Sequence, residues 1–229
     1  MNKITFIVIF VFLACFCFAK DLRESLEFGI AVPYFIENNV DASGVDVKTE
    51  MSTVAVNFSG ITFFNDRIGL GVYMDVIFPQ KMTVSARGQS ASVERSAYDV
   101  LMAMDMLIGP AFMVYKKGRF SLPVVVGFHY LQLWALADFW TPLARQAESG
   151  DGDYVESKDF EFGLGTNITG EYHITNNFYL LARLQLTLDL FSINMNGTNI
   201  RYNEVKSNGF IPLTTWGLNA TLGIGKILR

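Results

Sequence analysis

Eight stretches of this chain alternate large apolar residues with small or polar ones, and short and long connections join them in strict turn. Short links lie near Asn65–Arg67, Lys116–Arg119 and Thr175–Asn177. Long links span roughly 37–49, 79–97, 135–159 and 193–211. Period-two alternation is the mark of β-strands with two unlike faces. Short and long links in alternation put tight turns on one rim and large loops on the other. The predicted fold is all-β, an eight-stranded antiparallel up-and-down β-barrel.

Parity sorts the faces. Leu26, Phe28, Ile30, Val32 and Tyr34 share one face of the first segment, opposite Glu27, Gly29, Ala31 and Pro33. The seventh sets Phe178, Leu180, Leu184, Leu186, Leu188 and Leu190 against Arg183, Gln185, Thr187 and Asp189. The eighth sets Trp216, Leu218, Ala220, Leu222 and Ile224 against Gly217, Asn219, Thr221, Gly223 and Gly225. A soluble lipid-binding barrel shares this rhythm with its apolar face inward. Its outer face would carry Lys, Glu and Thr, whereas the second face here is mostly Gly, Ala, Ser, Asn and Thr. Small residues suit the tight interior of an eight-stranded barrel, and the large uncharged face suits lipid. Segments of about 10–13 residues also cover the ~9–11 residues of a tilted transmembrane strand.

Aromatics gather at the segment ends. Phe64, Tyr115, Phe120, Tyr172 and Phe178 lie beside the short turns, and Tyr34, Phe78, Tyr98, Tyr130, Trp134, Phe160 and Trp216 toward the long loops. Two such belts match two membrane interfaces. Pro33, Pro110 and Pro123 each remove a ladder donor. The last two flank one short turn, which predicts a bulged or loosely paired corner. Asn57, Asn167 and Asn219 sit in Asn-x-Ser/Thr triplets but on the inner face, so they read as interior polar residues.

Residues 1–19 read as a secretory signal peptide: Lys3 supplies the charge, Ile4 to Phe18 the apolar run and Ala19 the small residue at the cut. A competing reading takes Leu13-Ala14-Cys15 as the end of a lipobox, with lipidation at Cys15. Both cysteines, Cys15 and Cys17, lie in this leader, so a chain cut after Ala19 has no disulfide or thiol-based site. Residues 20–229 then form one barrel and no second domain. Removing Lys3 takes the formal charge from -4 to -5, which argues against nucleic acid as a partner. No apolar run of helix-spanning length follows the leader.

The chain resembles the small eight-stranded outer-membrane β-barrels of Gram-negative-type bacteria, the OmpA, OmpX and OmpW group. Two stretches carry more than architecture. Gly118-Arg119-Phe120 with Pro123 and Gly127 resembles the start of a barrel strand in OmpW-like proteins. Gly170-Glu171-Tyr172-His173-Ile174 with Asn176-Asn177-Phe178-Tyr179-Leu180 resembles one of their periplasmic turns. The resemblance implies outer-membrane lipid and the barrel assembly machinery as partners, and passage of small, apolar molecules as the role. The runner-up is a surface adhesin or structural protein that binds host molecules through its loops. Such barrels usually end in an aromatic residue, whereas this chain ends Lys226-Ile227-Leu228-Arg229. That departure points to a phylum with a different assembly signal, such as the spirochaetes.

The candidate lumen residues are Asp75, Asp99, Asp105, His129, Glu161, Glu171, Arg183 and Asp189. A turn centred on Lys117 would make Asp105 and His129 cross-strand neighbours, and one centred on Asn177 would set Glu171 opposite Arg183. Two readings follow: an interior salt-bridge network that fills the barrel, since buried charges are costly unless paired, or a cation-preferring pathway, since acids outnumber Arg183. Barrels of this size that modify lipid acyl chains use a His with a Ser and an acid. Here His129 has no Ser placed beside it and His173 lies near a turn, so no catalytic residue is assigned. No phosphate loop, dinucleotide fingerprint or metal-ligand spacing appears, so no cofactor or metal is expected. In the third long loop, Asp138 to Glu148 reads as a helical turn with Thr141 as its N-cap. Trp140, Leu143 and Arg145 are its candidate contacts for a host molecule or apolar ligand, the alternative being a solvated cap on the mouth.

Overall fold

Alternation becomes architecture through hydrogen bonding: a strand in lipid must pair both edges, and only closure of the sheet achieves this for every strand. A computed structural model describes residues 23–40, 46–86, 88–94, 102–134, 158–194 and 209–228. The strands are β1 (Arg23–Val40), β2 (Asp46–Phe63), β3 (Ile68–Ala86), β4 (Gln89–Glu94), β5 (Met102–Lys117), β6 (Phe120–Trp134), β7 (Lys158–His173), β8 (Phe178–Asn194) and β9 (Gly209–Ile227). All neighbours are antiparallel. The sheet closes because β1 pairs with both β2 and β9, and β2 with β3. Eight strands make the barrel, and β4 pairs with β3 alone.

The register gives the barrel its dimensions. The ladder Ile36–Trp216–Leu188–Leu164–Phe128–Ile108–Val72–Gly60–Leu26 runs once around the wall and returns to β1 ten residues lower (36 − 26). Eight strands with a shear of ten give a tilt of about 40° and a backbone radius of about 8 Å. An interior of that width is filled by side chains. The eight wall strands hold 15 to 19 residues each. At that tilt they stand about 40 Å tall, well beyond the ~25 Å apolar band of such barrels. Strand ends therefore project past a band of that height.

Facing follows parity as expected. Phe128, Leu222 and Ile30 are 74%, 71% and 66% exposed on the outer wall, while Leu107, Ala103 and Ala31 are 0% exposed inside. Phe64, Tyr115, Phe120, Tyr172 and Phe178 are exposed at the short-turn rim, and Tyr34 and Trp216 toward the other. Inside, the short-turn half packs Ile61, Phe63, Tyr73, Leu107, Ala111 and Val125, with Met113 against them.

The short turns are chemically encoded. Asn65 Oδ1 accepts from the Arg67 and Ile68 amides at 2.9 Å each. Thr175 Oγ1 accepts from the Asn177 and Phe178 amides at 3.2 and 3.0 Å. Both are side-chain turns that replace a missing backbone partner. Gly118 takes φ +59° in the two-residue turn between Lys117 and Phe120, a conformation that favours glycine.

Between β3 and β5 the structure differs from the sequence reading. The 79–97 link is not all loop: β3 continues to Ala86, turns at Gly88 and returns as β4, which pairs Lys81 with Glu94. The prolines do loosen the wall. The β5–β6 register shifts between Met113 and Tyr115, and the β6–β7 ladder steps from Ser121–Glu171 to Val124–Ile168 across Pro123. At Pro33 the β1–β2 ladder steps from Ala31–Ala55 to Tyr34–Ser52, and the Pro33 carbonyl is held instead by Thr53 Oγ1 at 2.8 Å.

Candidate functional site

Seven of the eight predicted lumen residues are described, and all seven are buried: Asp75, Asp105, His129, Glu161, Glu171, Arg183 and Asp189. Asp99 lies outside the described residues, as do Trp140, Leu143 and Arg145 and the whole helical turn predicted around them.

The lower polar level centres on Arg183. Its guanidinium donates to Glu27 Oε2, to Asn57 Oδ1 at 2.8 Å, to Ser59 Oγ at 2.9 Å and to Thr169 Oγ1 at 3.0 Å. It lies over the Tyr73 ring, 4.2 Å from the centroid. Glu27 Oε1 accepts from Tyr179 Oη at 2.7 Å. Strands β1, β2, β3, β7 and β8 thus meet on one buried ion pair. The fork geometry of arginine allows this many partners from one group.

This corrects one expectation. Arg183 is opposite Thr169, and Glu171 is opposite Leu181, because the β7–β8 turn centres on Asn176 rather than Asn177. Glu171 instead accepts from Ser121 Oγ at 2.5 Å, and that hydroxyl is also 2.8 Å from His173 Nε2. A serine beside a histidine was not anticipated. Glu171 approaches the same His173 Nε2, at 3.4 Å, so carboxylate and hydroxyl sit on one side of the ring. A relay places the acid on the far nitrogen, and Ser121 is wholly buried.

The upper level is a belt of three carboxylates and one imidazole. His129 Nε2 lies 2.8 Å from Asp105 Oδ1, and Nδ1 lies 2.7 Å from Asp189 Oδ1. Asp105 sits opposite Leu131, so His129 reaches it diagonally rather than directly across. Gln185 Nε2 donates to both Asp105 oxygens at 3.2 Å. Asp75 is directly opposite Asp105 across β3–β5. Its oxygens accept from Asn57 Nδ2 at 2.6 Å and from Asn219 Nδ2 at 2.5 Å. The three amides separate carboxylates that would otherwise repel as a cross-strand pair.

Glycines make room for this chemistry. A Cβ at Gly163 would meet the β8 backbone and, at 2.6 Å, Asp189 Oδ1. One at Gly217 would strike Thr187 Oγ1.

Glu27, Asn57, Gln185, Asn219, Ser121 and Tyr179 belong to these levels beside the predicted residues. Parity already placed Glu27 on the lumen face, and its sign opposite to Arg183 was the available signal. Cross-lumen distance was not readable. Chemically, the two levels bind their own charges and occupy the bore. Above them the inner face is mainly apolar over β1, β2, β3, β5 and β6, where Phe35, Met51, Ile77, Ala103 and Leu131 are buried, with Thr53 among them. Glu161 lies at that height on β7, opposite Leu131.

Compared with protein-family models the sequence matches none, and compared with curated proteins it matches none. Solved structures do match. The outer membrane protein OprG from Pseudomonas aeruginosa aligns over 92% of this chain and 97% of its own, with a TM-score of 0.61 and 10% identity. The outer membrane protein AlkL, solved in lipid bilayers, aligns over 92% and 94%, with a TM-score of 0.52 and 12% identity. At such identities the likeness shows the fold alone: this chain has the fold of the small eight-stranded bacterial outer-membrane barrels.

Proposed function

We propose that this protein resides in a bacterial outer membrane and passes small apolar molecules from the cell surface into the lipid through its wall. The observation that carries this reading is the apolar outer lumen resting on a polar floor. Phe35, Met51, Ile77 and Leu131 lie above the Asp75–Asp105–His129–Asp189 belt. An apolar solute that displaced those side chains would keep apolar contacts. It would meet desolvated, hydrogen-bonded charges if it went further down. The β1–β2 ladder is interrupted on this apolar side, at Pro33, between the lipid-facing residues Val32 and Tyr34. Missing ladder bonds lower the cost of parting two strands.

The test is transport across a membrane with a lipopolysaccharide outer leaflet, with conductance recorded in parallel. Faster entry of a small apolar dye without sustained ion current is the expected result. Discrete ion openings, reduced when Asp75 and Asp105 are neutralised, would overturn the wall route in favour of an axial pathway.

A second reading rests on the extramembrane sheet. The tops of β1, β2 and β3 continue past the lipid band and carry β4. A surface protein acting through its loops would use this platform. Loop exchange that abolishes attachment to a host matrix while dye entry persists would favour it.

A further inference from the structure

Among the described residues, five of the eight buried side-chain oxygens without a hydrogen-bond partner gather on two neighbouring strands. On β8 and β9, Asp189 Oδ2, Thr187 Oγ1, Thr215 Oγ1, Asn219 Oδ1 and Thr221 Oγ1 are buried without a hydrogen-bond partner. Asp189 and Thr215 are directly opposite each other, and Thr187 is two residues along the same face from Asp189. Asp189 is 0% exposed, Thr215 2% and Thr187 3%. Cross-strand partners on one face hold their Cβ atoms about 5 Å apart. Thr187 is the diagonal neighbour of Thr215, at about 7–8 Å, so the outer three oxygens line one stretch of the inner wall.

That stretch is built rather than left over. Gly217 lies opposite Thr187, and a Cβ there would collide with Thr187 Oγ1. Gly163 clears the Asp189 carboxylate in the same way. The two glycines let a hydroxyl and a carboxylate lean over backbone that other residues would cover. Buried oxygens left without a partner are costly, and proteins satisfy them with ordered water or a bound ion.

The charge of the belt selects that species. His129 presents both ring nitrogens to carboxylate oxygens, Asp105 on one side and Asp189 on the other. Two protons shared by those three groups leave one net negative charge. Asp75, directly opposite Asp105, adds a further carboxyl group, which accepts from two neutral amides and pairs with no cation among its described partners. Arg183 is already matched by Glu27. The belt is thus short of positive charge, and on β8 and β9 the oxygens left without a partner beside it are one carboxylate oxygen and two hydroxyls. Oxygen-only donors select hard cations. A single free carboxylate oxygen with neutral hydroxyls is a poorer match to a divalent ion, which gathers several carboxylates or keeps a tight water shell.

We propose that Asp189, Thr187 and Thr215 hold a small monovalent cation of the sodium class at the outer end of the charged belt, with water completing its shell and Asn219 Oδ1 as the neighbouring acceptor. The ion locks the β8–β9 wall to the His129 bridge. The site stands independently of the transport route: dye entry can fail with the ion in place, and the ion can be absent from a barrel that still passes dye.

The experiment follows thermal unfolding of the refolded full-length barrel in detergent. The chlorides of sodium, potassium, calcium, magnesium and N-methylglucamine are compared at equal ionic strength and pH, so that screening is constant. A saturable rise of about 5 °C in sodium over N-methylglucamine is expected from ligand linkage. Thr187→Val with Thr215→Val abolishes the rise, whereas Thr215→Ser keeps it. Equal melting in sodium and N-methylglucamine overturns the proposal. So does an undiminished rise in the double valine variant, or a rise seen only with calcium or magnesium. If the valine variant does not fold, sodium-23 line broadening on the unaltered barrel decides. Broadening relieved by potassium supports the site, and a linewidth equal to that of empty micelles overturns it.

Discussion

Glu27 and Arg183 are 156 residues apart in sequence and form one buried ion pair across the barrel, from β1 to β8. Their contact joins the first strand to the penultimate one, on either side of the seam where β9 closes on β1. Three further strands supply the remaining partners through Asn57, Ser59, Thr169 and Tyr73. Removing one partner of such a pair strands the other charge, a loss of about 3–5 kcal/mol. Arg183→Ala should therefore lower the urea midpoint and the heat resistance of the refolded barrel sharply. Glu27→Gln with Arg183→Met should recover part of the loss, because no charge is left without a partner. A single Arg183→Ala barrel as heat-resistant as the parent would remove this level from the stabilising network.

The belt makes a similar demand on His129. With the imidazole gone, Asp105 and Asp189 lose the group between them, and Asp105 keeps only the Gln185 amide among its described donors. His129→Leu should cost about 3 kcal/mol or more. Asp105→Asn with Asp189→Asn in the same chain should offset part of that, since the carboxylates no longer require a proton-rich partner. Equilibrium unfolding in lipid vesicles gives both numbers. Equal stability of the single and triple variants would mean that the bridge contributes nothing beyond packing.

What could be read from the sequence was the property with local cause. Facing depends on alternation within one strand, so Arg183, Asp189 and the leucines beside them fall on their proper sides without knowledge of any partner. Pairing across strands depends on where each turn centres. The β7–β8 turn centres one residue earlier than its asparagines suggest, and this moves Arg183 from Glu171 to Thr169. Between β5 and β6 the turn falls at Gly118–Arg119 rather than at Lys117, so Asp105 faces Leu131 and meets His129 only diagonally. Cross-lumen pairs are one step harder. They depend on the shear of the closed barrel, which no short window contains. That is why Glu27, correctly placed on the lumen face, is not matched to Arg183 by sequence alone; Ser121 and His173 are diagonal neighbours on the adjacent strands β6 and β7, whose register the long 135–159 link does not set. The β4 hairpin was hidden for another reason: Gln89–Glu94 is short and polar, with little alternation to read.

Two glycines should respond differently to alanine. Gly109 and Gly127 face each other between β5 and β6, and a Cβ on Gly127 would lie 2.6 Å from the Gly109 Cα and closer still to the Ile108 carbonyl. Gly127→Ala meets backbone that cannot yield without parting the strands, an overpacking cost of about 1–3 kcal/mol. Gly118 has open space around it, so Gly118→Ala meets only its positive φ and should cost about 1 kcal/mol. The folded fraction at fixed urea should fall further for the first. The reverse order would mean that turn geometry, not strand contact, limits assembly of this corner.

Pro33 offers the most direct lever on the wall. It has no amide hydrogen, and the β1–β2 ladder skips the Val32–Pro33 step where the Pro33 carbonyl turns to Thr53 Oγ1. Alanine at this position restores a donor opposite β2 and permits the ladder to close. Pro33→Ala should be neutral or stabilising by about 1 kcal/mol, as one backbone hydrogen bond is gained. In the same preparation, entry of a small apolar dye should slow several-fold if solute leaves between β1 and β2. Thr53→Val serves as the companion, since it removes the side-chain bond to Pro33 without restoring the ladder and should leave entry as fast as before or faster. Dye entry unchanged in Pro33→Ala, in a barrel shown to be folded and equally abundant in the membrane, would move the exit away from this gap.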